Sequence, residues 1–571
     1  MYETKPWLKY YGNIPESLTY PEWSLYGALA AAASAHAKLT ALIFMGRKIT
    51  FAELDRRIAL MSRALAASGI KRGDRVLIGL PNSPQAVIAF YAVSRIGAVA
   101  VMVHPLSAAA EIAAYAKKTS CTTAVTLDAL FPRYTEAMER GILKRTIVCD
   151  LSEFMSPVLA LGYRLTMGRK IAPVPARPEI LCWNELELPA ATAPELETPD
   201  PLRKDEAAVI LFSGGSTSEP KAILLSSLNC NALAYQTNAA GGPIGPGDIM
   251  LSILPMFHGF GLAIGIHTIL INGGTCALVP RFKPDGLAKL IRKYRPSYMA
   301  GVPTLFDSLA SSEVFRRTNL SCLRGVFCGG DSLSREIKER FEEVLRKNGC
   351  SAVLREGYGL TESVTANMLM PADTYRERSI GIPYPDMLAK VVRFGGCEEL
   401  PPGEDGEICV SGPTVMIGYL DEPEATAETL RLHPDGRVWL HTGDLGCMDE
   451  DGFFFFKQRL KRIIKTSGIS VYPSQIEDTL NSHPAVRMSC VIGVPHPSKV
   501  QVPKAYVSLN EGYAPSPELE RELIEYCSKN LISYSCPTCV EFMDQLPLTL
   551  IGKVSFRALE EQERQLAQGN V

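Results

Sequence analysis

The stretch "FSGGSTSEPKA", Phe212 to Ala222, crowds small residues and hydroxyls together and closes with a proline and a lysine. The apolar run "AAVIL" (Ala207 to Leu211) leads into it and "ILLS" (Ile223 to Ser226) leads out. Gly214 and Gly215 leave backbone N–H groups uncovered, Ser213, Ser216, Thr217 and Ser218 supply hydroxyl donors, and Lys221 supplies charge. A loop of that make-up grips phosphate. A Walker-type loop needs glycine before its lysine and serine or threonine after it, whereas Pro220 and Ala222 hold those places. The run is therefore a phosphate loop of another kind or a surface turn between two strands.

A chain of 571 residues is too long for one ordinary core, so two or more domains are expected. Apolar residues at 46% and charged residues at 21% describe a soluble globular protein. The formal net charge of −2 excludes a broad electrostatic footprint for nucleic acid. No run is long enough to span a bilayer, and Met1 to Tyr20 lacks the apolar centre of a signal peptide. The 15 cysteines are scattered, as reduced thiols of a cytoplasmic protein would be. Cys536 and Cys539 in "CPTC" have redox or zinc spacing, but without a second pair or a histidine cluster they read as structural.

Helical and strand patterns alternate, which points to α/β architecture. Thr50 and Glu53 resemble a capping box ahead of a helix with Leu54, Ile58, Met61 and Leu65 on one face. Asp285 is the expected cap of the stripe Leu287, Leu290, Ile291 and Tyr294, and Ser516 with Pro517 starts another helix. "FMSPVLALGYRLTMGRK" (Phe154 to Lys170) stands apart, with a short apolar run beside Arg164, Arg169 and Lys170. It either lies on a membrane surface or forms an ordinary packed insertion, and the packed insertion is the expectation.

Further clusters look unlike plain core: "LPMFHGFGL" around His258, "GVPT" (Gly301 to Thr304), "CGGDS" (Cys328 to Ser332) and "EGYGLTES" (Glu356 to Ser363). "HTGDLG" around Asp444 is expected to end a strand. "KQRLKRIIKTSGISVYPSQIE" (Lys457 to Glu477) and "LPLTLIGKVSFR" around Lys553 complete the set. In order and spacing they resemble the adenylate-forming superfamily of acyl-CoA synthetases, luciferases and peptide-synthetase adenylation domains, most of all the fatty-acyl-CoA ligases. The resemblance runs from about Ile49 to Leu559.

The resemblance implies two sheets with flanking helices plus a small β-barrel-like subdomain in an N-terminal domain, residues 1–459. It also implies a small mobile α/β C-terminal domain, residues 460–571. Ser213 to Thr217 and Lys221 would hold the β- and γ-phosphates of ATP. Ser218 and Ala222 stand where glycine is usual, and a non-glycine residue resists positive φ. Glu362 matches the acidic residue associated with Mg²⁺, and Thr361 would face the α-phosphate. Gly329, Gly330, Asp331, Gly357, Tyr358 and Gly359 would frame adenine, with Glu356 in a place more often held by Gln or Asn. Asp444 would accept from both ribose hydroxyls, assisted by Arg459. Lys553 matches the mobile lysine that bridges carboxylate and α-phosphate. Lys461 matches the hinge, and Ser467 with Gly468 the wall of the pantetheine tunnel.

The implied reaction is attack of a carboxylate on the α-phosphorus of ATP, then transfer of the acyl group to CoA. Phe257, His258, Gly259, Gly301 and Val302 would border the acid, and glycines at 259, 261 and 265 could leave a channel open for a medium- or long-chain acid. His258 is a base, a gate or a packing residue. The alternatives are a free-standing ligase that loads a carrier protein, and a non-catalytic acyl- or nucleotide-binding homologue. The expected location is cytoplasmic or peripheral to the membrane, as a monomer or homodimer.

Overall fold

Buried apolar strands and amphipathic helices assemble into four sheets in the computed structural model, which describes residues 2–186, 196, 205–213, 220–466, 469–496, 499–532, 535–549 and 552–569. The first sheet has nine strands. Its middle runs parallel, with Leu354–Tyr358, Gly325–Gly329, Tyr298–Gly301 and Ile249–Ser252 side by side. The second has eight strands and includes an antiparallel hairpin of Ala207–Phe212 and Ala222–Ser226, with Phe212 opposite Ala222 and the short edge strand Gly418–Tyr419 beyond it. That hairpin carries the opening stretch at its tip. Both parallel runs are buried on two faces, as their continuous apolar patterns require.

The third sheet is antiparallel and small, built on Leu388–Val392, Gly406–Ser411, Leu430–Leu432, Val438–Met448 and Phe454–Arg459. The fourth follows Ile464 and centres on the long pair Val486–His496 and Val500–Leu509. One continuous core unites the first three sheets, whereas buried side chains from Ile464 onward form clusters of their own.

Local signals hold in part. Thr50 accepts from the Glu53 N–H at 3.1 Å, but the Glu53 carboxylate pairs with Arg47 at 2.6 Å, so only half of the capping box forms. Leu54, Ile58 and Met61 are fully buried. Lys283, not Asp285, precedes helix Pro284–Tyr294, because Pro284 takes the first helical position. Asp285 then sits in the first turn, where negative charge is favoured. Ser516 caps Pro517–Asn530. Asp444 lies inside the eleven-residue strand Val438–Met448 rather than at its end, because the hairpin partner Phe454–Arg459 extends the pairing. Cys536 and Cys539 are free thiols.

Phe154 to Lys170 is packed only in part, with Ala160 and Tyr163 against the core. Phe154 and Met155 are buried, but helix Pro157–Leu165 buries none of its residues. Among the described residues no helix is long and apolar enough to cross a membrane.

The last sheet is tied to the first by few bonds. Asp307, buried in helix Pro303–Ser311, accepts from Arg487 at 2.9 Å and pairs with Arg340. Thr304 donates its hydroxyl to the Gly552 carbonyl at 2.6 Å. Replacing Arg487 by alanine (Arg487→Ala) leaves Asp307 its Arg340 partner, so the folded lobes should survive while their docking loosens. Limited proteolysis should cut between residues 459 and 475 several-fold faster with an unchanged main melting transition, and an unchanged cleavage rate would contradict this role.

Candidate active site

Four neighbouring parallel strands of the first sheet deliver four motifs to one edge. Leu354–Tyr358 runs into Gly359, Gly325–Gly329 into Gly330 and Asp331, Tyr298–Gly301 into Val302, and Ile249–Ser252 into the turn that carries Phe257 and His258. A crevice beyond the carboxyl ends of parallel strands is where open α/β sheets bind ligands. Gly329 pairs with Gly357 across the ladder. A Cβ on Gly359 would stand 2.0 Å from the Thr365 carbonyl oxygen, so only glycine lets the two backbones meet.

The third sheet adds a carboxylate. Asp444 and Arg459 are direct cross-strand partners, and the hairpin brings Arg459 Nε to 3.2 Å from Asp444 Oδ1. The Tyr358 hydroxyl donates to Asp444 Oδ2 at 2.6 Å. Asp444 is buried, and its Oδ1 has no hydrogen-bond donor among the described residues. Burial pushes its carboxyl above the usual range, while Arg459 and Tyr358 pull it back. Such an oxygen is built to receive a donor from outside the chain. Behind it, Glu407 accepts from the Gly443 N–H at 2.9 Å and contacts His441 Nδ1 at 2.8 Å. His441 Nε2 in turn meets His433 Nε2 at 2.9 Å. This buried network fixes the part of strand Val438–Met448 that presents Asp444, and no motif announced it.

The second sheet supplies the cation. Ser213 and Lys221 close the base of the hairpin, the Ser213 N–H donating to the Lys221 carbonyl at 3.0 Å and the Lys221 N–H to the Ser213 hydroxyl at 3.2 Å. The Lys221 ammonium lies 4.3 Å from the centre of the Tyr419 ring, and the Tyr419 hydroxyl donates to Glu362 at 3.0 Å. Tyr419 thus sits between the charge from the loop and the acid from "YGLTE", and sequence reasoning missed it. Thr361 and Glu362 belong to a single 3-10 turn, followed by Val364 at φ 60°. The Thr365 N–H bonds back to the Ser363 carbonyl at 2.7 Å, a γ-turn about a β-branched residue. Strain of this sort, about 1–3 kcal/mol, persists only where surroundings hold it. Here Ser363 is pinned by Asn367 and Thr414 at 2.5 and 2.6 Å.

Lys553 reaches this edge from the segment between the last sheet's strand Val540–Phe542 and helix Phe556–Gly569. With Leu254, Pro255, His258, Phe260, Gly261, Val302 and Gly330 it lines a cavity of about 10 Å³. Burial holds its ammonium below the ordinary lysine value and Arg459 adds to the effect, whereas Asp331 and Asp444 oppose it. Burial, then Lys553, lowers His258 to about 3, so the ring is neutral and its Nδ1 accepts from the Phe260 N–H at 3.3 Å.

At Gly259 and Gly261 the missing side chains do not open a channel, whereas a Cβ on Gly265 would meet only the Phe260 carbonyl oxygen at 3.7 Å. A Cβ on Gly259 would lie 1.9 Å from the Val364 carbonyl oxygen, and one on Gly261 2.1 Å from that of Pro255. They permit backbone-to-backbone contact beside a π-helical turn, Phe260–His267. Gly301 likewise gives its side-chain space to Leu305 and Phe306, while Val302 lines the cavity. Phe257 packs edge-on against His104, ring centres 4.5 Å apart. Lys461 falls in the turn Leu460–Arg462 just after Arg459. Gly214, Gly215, Ser216, Thr217, Ser218, Ser467 and Gly468 lie outside the described residues.

Residues 29–420 match the family of AMP-binding enzymes, and residues 475–553 match the AMP-binding enzyme C-terminal domain. A long-chain-fatty-acid–CoA ligase of Bacillus subtilis is 32% identical over 99% of both chains. One from Escherichia coli O6:H1 is 31% identical over 98% of both. Among solved structures, ATP-bound MatB from Rhodopseudomonas palustris superposes with a TM-score of 0.78 at 26% identity, covering 95% of this chain and 99% of that one.

Glu356 provides a pH test of the crevice floor. Burial raises its carboxyl to about 7, against the pull of Lys338 and helped by Glu342. A carboxyl whose folded value lies above the unfolded one costs stability as pH climbs from about 4.5 to 7, and the full cost stands above that. Glu356→Gln should therefore raise the melting temperature at pH 8, by a gain of at most about 3 kcal/mol, and do little at pH 5. Equal shifts at both pH values would show that the carboxyl is not perturbed.

Proposed function

The chain belongs to the AMP-binding enzyme family, and we propose that it is an ATP-dependent fatty-acyl-CoA ligase that forms acyl-AMP with release of pyrophosphate and then passes the acyl group to CoA. The names of its full-length relatives support a long-chain acid and CoA as acceptor. The observation that carries the reading is Lys553, brought by the segment that follows the last sheet into a crevice otherwise formed by the first.

Two anions must meet for a carboxylate to attack the α-phosphorus, so cations belong at that point. In this reading Lys553 bridges the carboxylate and the α-phosphate, and Lys221 with the loop Ser213 to Thr217 neutralises the leaving pyrophosphate. Asp444 receives the ribose hydroxyls on Oδ1, which accepts no hydrogen bond among the described residues and is paired in charge with Arg459, and Gly329 to Asp331 and Gly357 to Gly359 frame adenine. Thr361 faces the α-phosphate. Mg²⁺ asks for oxygen ligands and keeps water and phosphate in most of its shell. Glu362 suits it, because Tyr419 engages only one carboxylate oxygen. The ion would add neutralising charge on the phosphates. Phe257, His258, Gly259, Gly301 and Val302 border the acid.

The thiol step needs Lys553 withdrawn. We place the domain boundary at residues 459 and 460, where the shared core ends, and the hinge at Lys461. Rotation there would carry Ser467 and Gly468 to the pantetheine of CoA.

Lys553→Ala should lower acid-dependent pyrophosphate exchange by about a hundredfold or more, while thioester formation from supplied acyl-AMP and CoA persists. Loss of both steps together would remove the lysine's assigned role. Asp444→Ala should raise the KM for ATP about tenfold or more and leave the KM for the acid nearly unchanged. A panel of acids scored by CoA-dependent AMP release tests the function itself. Turnover with an acyl carrier protein but not with CoA would overturn it.

A further inference from the structure

We propose that helix Pro157–Leu165 and the basic run behind it dock this protein on a bilayer surface containing anionic phospholipid. The inference goes beyond the ligase reading and does not depend on it. The helix occupies the crossover between strands Arg145–Cys149 and Ile180–Cys182, the outer two of the eight-stranded sheet. Ala160 and Tyr163 pack on the core, and the Ser156 N–H bonds to the Met45 carbonyl at 3.1 Å, which fixes the orientation. Spacings of three and four place Val158, Leu161 and Leu165 together on the other face. They are 81%, 61% and 50% exposed. An amphipathic surface helix of a soluble protein turns its polar side outward, whereas this one turns Val158, Leu161 and Leu165 outward.

Charge identifies the occupant. From Phe154 to Pro178 the chain holds Arg164, Arg169, Lys170 and Arg177 and no acidic residue, although acids outnumber bases in the whole chain by 61 to 59. Arg169 and Lys170 are exposed and form no ion pair among the described residues. Arg164 is 62% exposed and only 3.5 Å from Asp150 at its nearest, and Arg177 is 59% exposed and 3.9 Å from Glu179. A protein partner with an apolar pocket would not require this one-sided charge. An interfacial membrane takes both, apolar side chains entering the acyl boundary while cations meet the headgroups. Nine helical residues are too few to cross a bilayer, so the helix lies in its plane.

The full-length protein should co-sediment with vesicles of phosphatidylglycerol and phosphatidylcholine in equal parts. It should leave them in high salt and bind pure phosphatidylcholine vesicles about tenfold or more weakly. Leu161→Ser with Leu165→Ser, and separately Arg169→Glu with Lys170→Glu, should each cut binding about tenfold or more. Both variants should keep the melting temperature and the rate of pyrophosphate exchange. Absence of wild-type binding to the anionic vesicles, undiminished binding by either variant, or equal binding to neutral vesicles would overturn the proposal. So would a concentration-dependent dimer of the wild type abolished by Leu161→Ser with Leu165→Ser, since the patch would then face a second copy of this chain.

Discussion

A lysine cation drawn out of water between two lobes stays only if anions meet it, and that constraint organises the crevice. Lys553 is depressed by burial and offset by Asp331 and Asp444, which come from different sheets. The floor is glycine-rich backbone at the carboxyl ends of four parallel strands, and few of its own side chains carry charge. Charge arrives instead from the periphery. Lys221 comes from the second sheet's hairpin, Asp444 and Arg459 from the third sheet, and Lys553 from the segment between the fourth sheet's strand Val540–Phe542 and helix Phe556–Gly569. Such a distribution lets each charge be positioned by its own rigid support, and the site exists only when all four sheets are in place.

Stability is spent around this crevice. Asp444 carries a buried oxygen without a donor, Glu356 holds a carboxyl raised to about 7, and Val364 sits in a left-handed conformation. Each feature would be selected against in a plain core. They persist because one continuous apolar cluster binds the first three sheets together, and because local contacts over-determine each strained group. The Glu407 and His441 pair behind Gly443 does this for Asp444, and Asn367 and Thr414 do it for the turn at Val364. Cost of this kind is tolerated where the surrounding structure over-determines the group that bears it.

The fold and the site were legible to different depths. Helical stripes such as Leu54, Ile58 and Met61 read directly, because periodicity follows from the geometry of one helix. Asp444, Arg459 and Lys553 were legible only as members of an ordered set of motifs. Tyr419, Glu407 and Asp307 were not legible. Their working contacts lie 57 residues away at Glu362, 36 at Gly443 and 180 at Arg487, and no local pattern encodes such pairs. Gly259 and Gly261 were read as space for a channel, yet a chain shows only that a side chain is missing. Whether a ligand or another backbone fills the gap is decided by tertiary packing, and here Val364 and Pro255 fill it.

The way the lobes touch bears on how one crevice could serve two steps. Lys553 rests in the site through Thr304 and Gly552, and the fourth sheet leans on Asp307 through Arg487. The Arg487 side chain is 42% exposed, so solvent screens the pair and its strength stays modest. A broad apolar interface would have fixed one orientation, since separating it exposes hydrocarbon over its whole area. Polar contacts can be traded for water or for other partners at little cost. The clusters beyond Ile464 pack among themselves, so the fourth sheet carries its own core through any rotation. A self-sufficient unit held by exchangeable bonds can deliver a lysine for one step and withdraw it for the next.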